Sequence, residues 1–108
     1  MQSSTLAQAQ QAFAQQRDDV ITLFSHGTLQ VKYYSPREVD DQTAHSRDEV
    51  YVVARGTGTF NVVGERIPFE PGTVLFVAAG DDHRFERFSP DFATWVFFYG
   101  PEGGEPAM

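Results

Sequence analysis

The chain has 108 residues and a net charge of −7, with 15 acidic against 8 basic side chains. That length fits one compact domain, and that charge argues against nucleic acid and anionic membrane surfaces as partners. Cysteine is absent, which excludes disulfides, thiolate metal sites and a cysteine nucleophile.

No apolar run approaches the roughly 20 residues of a membrane-spanning helix, and no basic-then-apolar leader opens the sequence. The expectation is a cytoplasmic domain that binds neither nucleic acid nor membrane. Residues 1–19 are rich in Gln, Ala and Ser, with Leu6, Ala9 and Phe13 on one helical face and Ser3, Ser4 or Thr5 available as a cap. This predicts a short N-terminal helix packed on the outside of the domain. From residue 20 the pattern changes to short strands. Runs at 20–25 and 28–34 flank His26-Gly27, which makes His26 a turn residue. Runs at 50–54 and 59–63 lead to Gly64-Glu65, and a run at 66–69 is followed by Pro71-Gly72. The last runs are 73–77, 83–88 and 93–99. Residues 20–100 thus form the predicted barrel, and the Gly- and Pro-containing residues 101–108 a loose tail.

Seven or eight short strands at regular spacing point to an all-β sandwich or barrel. The runs 50–54 and 95–99 are apolar on both faces. One face fills the interior and the other needs a cover, from the helix or from a second subunit, which predicts a homodimer.

Two of the three histidines stand near carboxylates, His45 four residues before Glu49 and His83 after Asp81-Asp82. Imidazole with carboxylate suits iron, manganese, zinc or nickel, and two His with one carboxylate leaves coordination positions open. Four residues of regular strand span about 13 Å, so His45 and Glu49 share an ion only if the chain bends between them. Ser46-Arg47-Asp48 is polar enough to bend. The strand then begins at Glu49, with Glu49, Tyr51 and Val53 inward and Val50, Val52 and Ala54 outward. Asp81 and Asp82 are candidates to orient the second nitrogen of His83. Asp40-Asp41 reads as surface charge.

These spacings resemble the cupin superfamily. His45, Glu49 after three residues and Gly56 after six more match the first cupin motif. Gly72, Gly80 and His83 match the second, and fifteen residues separate the two. The resemblance covers about residues 28–100 and implies a double-stranded β-helix, the jelly-roll barrel of cupins, with a mononuclear divalent metal held by His45, Glu49 and His83. Thr43 stands where the motif has its first histidine, Arg37 where it opens on glycine, Ala78 in place of proline and Arg87 in place of asparagine. Gln42 is kept as a candidate fourth ligand, Thr43 as a weaker one, and water or substrate as the remaining occupant.

Strand alternation puts Arg87 on the face of His83 and Phe85, where it would clamp a carboxylate. Tyr33, Tyr51, Phe85 and Trp95 complete the candidate pocket for a small-molecule ligand, with Val96 and Phe98 as the alternative to Trp95 and its companions. Three functions fit this reading. One is a metal-dependent enzyme, a dioxygenase, isomerase or relative. The second is a non-catalytic binding module, and the third a metal-free structural subunit of a dimer.

Overall fold

The computed structural model describes residues 1–106, among which there are one helix and eight strands. Helix α1 (Leu6–Ala14) starts at Thr5, whose hydroxyl accepts from the Gln8 amide while Gln8 Oε1 accepts from the Thr5 amide. This reciprocal cap satisfies two of the helix's orphan donors. The helix buries Ala9 completely and lays Leu6 and Phe13 against Tyr33, Ala93 and Trp95. The rings meet edge to face, Phe13 on Tyr33 at 5.8 Å and Tyr33 on Trp95 at 5.7 Å.

The strands are β1 (Val20–His26), β2 (Leu29–Tyr34), β3 (Asp48–Arg55), β4 (Gly58–Val62), β5 (Glu65–Phe69), β6 (Val74–Val77), β7 (His83–Glu86) and β8 (Ala93–Tyr99). They form a five-stranded sheet, β1-β2-β8-β3-β6, and a three-stranded sheet, β5-β4-β7, with every pair antiparallel. This is the barrel that the short, regularly spaced strands implied. Two hairpin loops sit one residue from their expected places. His26 pairs with Leu29, so the first loop is Gly27-Thr28, and Val62 pairs with Glu65, so the second is Val63-Gly64. Tight hairpins need left-handed backbone, and Gly27, at φ 57°, supplies it from inside the loop. His26 ends the strand, exposed.

Between the sheets lies an aromatic core. Phe60, Phe69 and Phe85 of the small sheet pack with Phe92 against Tyr51, Val53, Leu75, Val77 and Val96 of the large one. Phe85 touches Phe60 at 4.6 Å and Phe92 at 4.7 Å between ring centres. Each fully buried ring contributes roughly 1.5–3 kcal/mol relative to exposure.

The closing motif glycine has a packing reason. Gly56 has φ 85°, and a Cβ there would lie 2.6 Å from both Phe92 Cα and Ser89 Oγ. Backbone strain and a backbone clash add at one atom. Gly56→Ala is therefore expected to cost on the order of 3 kcal/mol, read as a lower denaturation midpoint in urea with an unchanged slope.

The outer face of the large sheet is apolar across its width. Phe24, Val31, Phe97, Val50 and Phe76 form one cross-strand row, and Ile21, Tyr33, Trp95, Val52 and Val74 the next. Helix α1 covers the Tyr33–Trp95 corner. Val74 and Phe76, on the edge strand β6, stay 65% and 56% exposed.

Part of the expected loose tail is tied down. The Gly103 amide donates to the Ser46 carbonyl at 2.6 Å and the Glu105 amide to Asp48 Oδ2 at 2.8 Å. The buried Asp48 carboxylate also accepts from the Ala79 amide, and these backbone donors hold its carboxyl below the usual range. Residues 107 and 108 of that tail lie outside the described residues.

Candidate metal centre

Register places Glu49 on the inner face of β3, between Phe98 of β8 and Val77 of β6. His45 precedes the strand in the loop where a bend was required. Arg47 clasps that bend, donating to the carbonyls of Gly100 and Thr28 and to Gln30 Oε1. The Gly80 amide donates to the His45 carbonyl at 2.7 Å, which ties the loop of the first motif to the turn of the second. β7 then opens on His83, facing inward. The predicted inward set Glu49, Tyr51 and Val53 is buried, and the strand itself starts one residue early, at Asp48.

Three side chains that could ligate a metal converge here. Glu49 Oε1 lies 3.2 Å from His45 Nδ1 and 2.9 Å from His83 Nε2, and ligand atoms of all three lie within 4.8 Å of one another. Donor atoms about 2.1 Å from one cation stand roughly 3.0–3.4 Å apart at right-angled to tetrahedral geometry. Both separations from Glu49 are of that size, so the carboxylate and either imidazole are spaced to share an ion. Glu49 and His83 are 1% and 2% exposed, and His45 faces the opening.

The protonation pattern makes the same point. His83 Nδ1 is 2.9 Å from the Asp81 carbonyl. A carbonyl only accepts, so Nδ1 carries the proton and Nε2 of the neutral ring is a lone pair aimed at Glu49. It is the main chain of Asp81, and neither Asp81 nor Asp82 carboxylate, that orients the ring. Glu49 Oε2 is buried without a hydrogen-bond partner, and His83 Nε2 faces Glu49 Oε1, a contact that a shared proton or a cation completes. Burial pushes the Glu49 carboxyl up, but the two imidazoles beside it outweigh that and hold it below the usual range. Burial pushes His83 down, and the Glu49 contact, with the Asp81 carbonyl, raises it above its ordinary 6.5. This is a mutually stabilised acid–imidazole pair.

A cavity of about 140 Å³ is lined by His45 and Glu49 together with Val20, Lys32, Tyr34, Gln42, Tyr51, Val96 and Phe98. Gln42 is in this wall, but its amide has other work, since Nε2 donates to Asp40 Oδ2 at 2.8 Å and Oε1 accepts from the Tyr51 hydroxyl at 3.2 Å. Thr43, at the position of the motif's first histidine, is exposed. Asp40, read as surface charge, is 0% exposed and accepts from Tyr34, from Phe85 and twice from Gln42. Nothing in an Asp-Asp pair within a loop signals that.

Of the expected pocket residues, Tyr51 lines the cavity, and Phe85 sits behind it, edge-on at 4.9 Å. Tyr33 and Trp95 do not line it. They pair across β2 and β8 on the outer face, under α1, so Tyr34, Val96 and Phe98 take the inner positions. Arg87 is not an inward clamp. β7 ends at Glu86, Arg87 has left-handed backbone at φ 50°, and its exposed side chain borders an outer depression with Arg66 and Pro68.

A family model described as a cupin domain, Cupin_2, matches residues 31–99. The chain belongs to the cupin family. An uncharacterized protein of Streptomyces coelicolor, SCO3923, is 38% identical to this cupin over 63 residues, which are 58% of this chain and 60% of that one. The fold resembles that of a cupin-2 domain protein from Shewanella frigidimarina, with a TM-score of 0.65 at 15% identity over 84% of this chain and 91% of that one. It also resembles KdgF from a Halomonas species, with a TM-score of 0.64 at 17% identity over 76% and 78% of the two chains.

Proposed function

We propose that this cupin is a metal-dependent enzyme. It would hold one divalent ion of iron, manganese, zinc or nickel at His45, Glu49 and His83 and present it to a small organic molecule. The observation that carries the reading is the convergence of His83 Nε2 and Glu49 Oε1, 2.9 Å apart in the interior, with a second imidazole 3.2 Å away. When bound, such an ion supplies Lewis acidity toward an oxygen of the ligand. The chain supplies orientation. Burial and the Asp40 carboxylate push the Tyr34 hydroxyl up, and burial and Glu49 do the same to Tyr51, so both stay phenols. Their protons are committed to Asp40 and Gln42, which leaves the phenol oxygens as acceptors for a ligand hydroxyl. Val20, Val96 and Phe98 make the apolar part of the same wall.

Elemental analysis of the purified protein, followed by thermal shifts with zinc, nickel, manganese and cobalt, tests this reading. No metal and no shift would overturn it. In manganese-loaded protein, enhanced relaxation of bulk water is expected from open coordination positions, whereas a closed site would favour the non-catalytic module. Metal loading is also expected to fall as pH drops. The ion binds neutral His83 and competes with its proton, and that proton is held to higher pH than on an ordinary imidazole. Loading should therefore be lost through a midpoint displaced upward, and a titration of cobalt absorbance against pH measures it.

The outer sheet face supports a second part of the reading, a homodimer. On a chain of net charge −7, the residues Phe24, Val31, Val50, Val52, Val74, Phe76 and Phe97 present no charge, so two copies meet there without like-charge repulsion. Sedimentation equilibrium is expected to give twice the 12.1 kDa chain mass, and Phe76→Lys is expected to return the monomer. A monomeric wild type at micromolar concentration would overturn it.

A further inference from the structure

Lys32 is an unusual neighbour for the proposed metal centre. It lies in the inner cross-strand row Lys32–Val96–Tyr51, and Glu49 lies in the next, beside Phe98. Two strand spacings and one two-residue step put their Cα atoms roughly 12 Å apart on one face, within reach of a lysine stem and a small ligand between them. The ammonium sits over the Phe98 ring at 5.3 Å, and that ring is edge-on to His45 at 5.0 Å. Among the described residues no carboxylate pairs with Lys32, although acidic side chains outnumber basic ones almost two to one. Lysine and Glu49 are the formally charged groups of the cavity wall. The adjoining depression, which shares Lys32, His45 and Phe98, adds Arg47 and Glu102.

Charge decides what this cavity accepts. A divalent ion with one carboxylate and two neutral imidazoles keeps a net positive charge, and Lys32 adds another. The buried Val96 and the half-buried Phe98 beside them lower the local dielectric and strengthen both. The volume, about 140 Å³, compares with the apolar cavity of about 150 Å³ that accommodates benzene. We infer that Lys32 is the specificity-determining residue of this site. The ligand is then a small organic carboxylate with an oxygen donor directed at the metal and its carboxylate met by the Lys32 ammonium. This rests on the metal reading above and goes beyond it in naming the class of ligand.

Cobalt-loaded protein gives a test independent of turnover. Malonate and malonamide have the same number of heavy atoms and differ in charge. Titration of each against the visible cobalt bands is expected to show malonate binding at least about tenfold tighter than malonamide. Lys32→Met is expected to weaken malonate by about tenfold, with malonamide and cobalt affinity unchanged, and Lys32→Arg to restore malonate binding. Equal malonate affinities in wild type and Lys32→Met would overturn the inference and leave the metal reading standing. Absence of cobalt bands in the wild type would overturn both.

Discussion

His83→Ala is expected to reduce divalent-metal affinity by more than about 100-fold and to abolish the metal-induced thermal shift. Loss of a supporting contact behind a ligand typically costs 10–100-fold, and here a ligand itself is lost from a set of three. No other imidazole can replace it, because His26 is exposed at the end of β1. His26→Ala should load like the wild type. Glu49→Gln gives the complementary result. It keeps the volume but removes the negative charge that faces both imidazoles at 3.2 and 2.9 Å. Metal affinity should fall by a similar factor, and His83 should lose the contact that raises its pKa. Calorimetry with zinc, with the cobalt spectrum as a geometric check, reads both variants. Full metal binding by His83→Ala would mean that the three side chains are a hydrogen-bonded cluster and no ligand set.

The parts of this site that were legible in the sequence are those fixed by chain spacing. His45, Glu49 and Gly56 read as a unit because a bend, a strand and a sharp turn each consume a set number of residues. The glycine is needed because Phe92 leaves no room for a Cβ. His83 was legible because a turn ending at Gly80 returns the chain to the same end of the barrel, where the Gly80 amide meets the His45 carbonyl. Parity was not legible where both faces are apolar. Tyr33-Tyr34 and Trp95 to Tyr99 offer a ring at every position, so alternation alone cannot choose a face. The choice is made by pairing, as Glu49 draws Phe98 inward across β3 and β8, and Tyr33 then follows Trp95 outward under α1. Arg87 failed for a different reason. Alternation was extended one residue past the end of β7, where left-handed backbone turns the side chain out. Lys32 left no signal, because an alternating strand with one lysine looks like a strand with a solvated face.

Asp40 left no signal either, and its replacement carries the largest expected loss of stability. Strand β7 pairs with β4 on one side only, so on its other side the Phe85 amide needs an acceptor. Asp40 Oδ2 supplies it at 2.8 Å and takes the Gln42 side-chain amide at 2.8 Å, while Oδ1 takes the Tyr34 hydroxyl at 2.7 Å and the Gln42 backbone amide at 3.2 Å. Four donors thus converge on one fully buried carboxylate. Asp40→Ala leaves them without a partner, and the expected cost is about 3–4 kcal/mol, a fall in Tm of roughly 15 °C for a domain of this size. Asp40→Asn should be little better, since its amide would turn two hydrogens toward Gln42 and Phe85. His45, Glu49 and His83 make no hydrogen bond to Asp40, so at a temperature where Asp40→Asn is folded its cobalt affinity should stay within about threefold of wild type. Malonate binding should weaken, because Tyr34 and Gln42 lose the group that fixes their orientation in the cavity wall. A variant with wild-type stability would show that Asp40 is replaceable by water, and one with wild-type malonate binding would show that Gln42 and Tyr34 are held in place by packing alone.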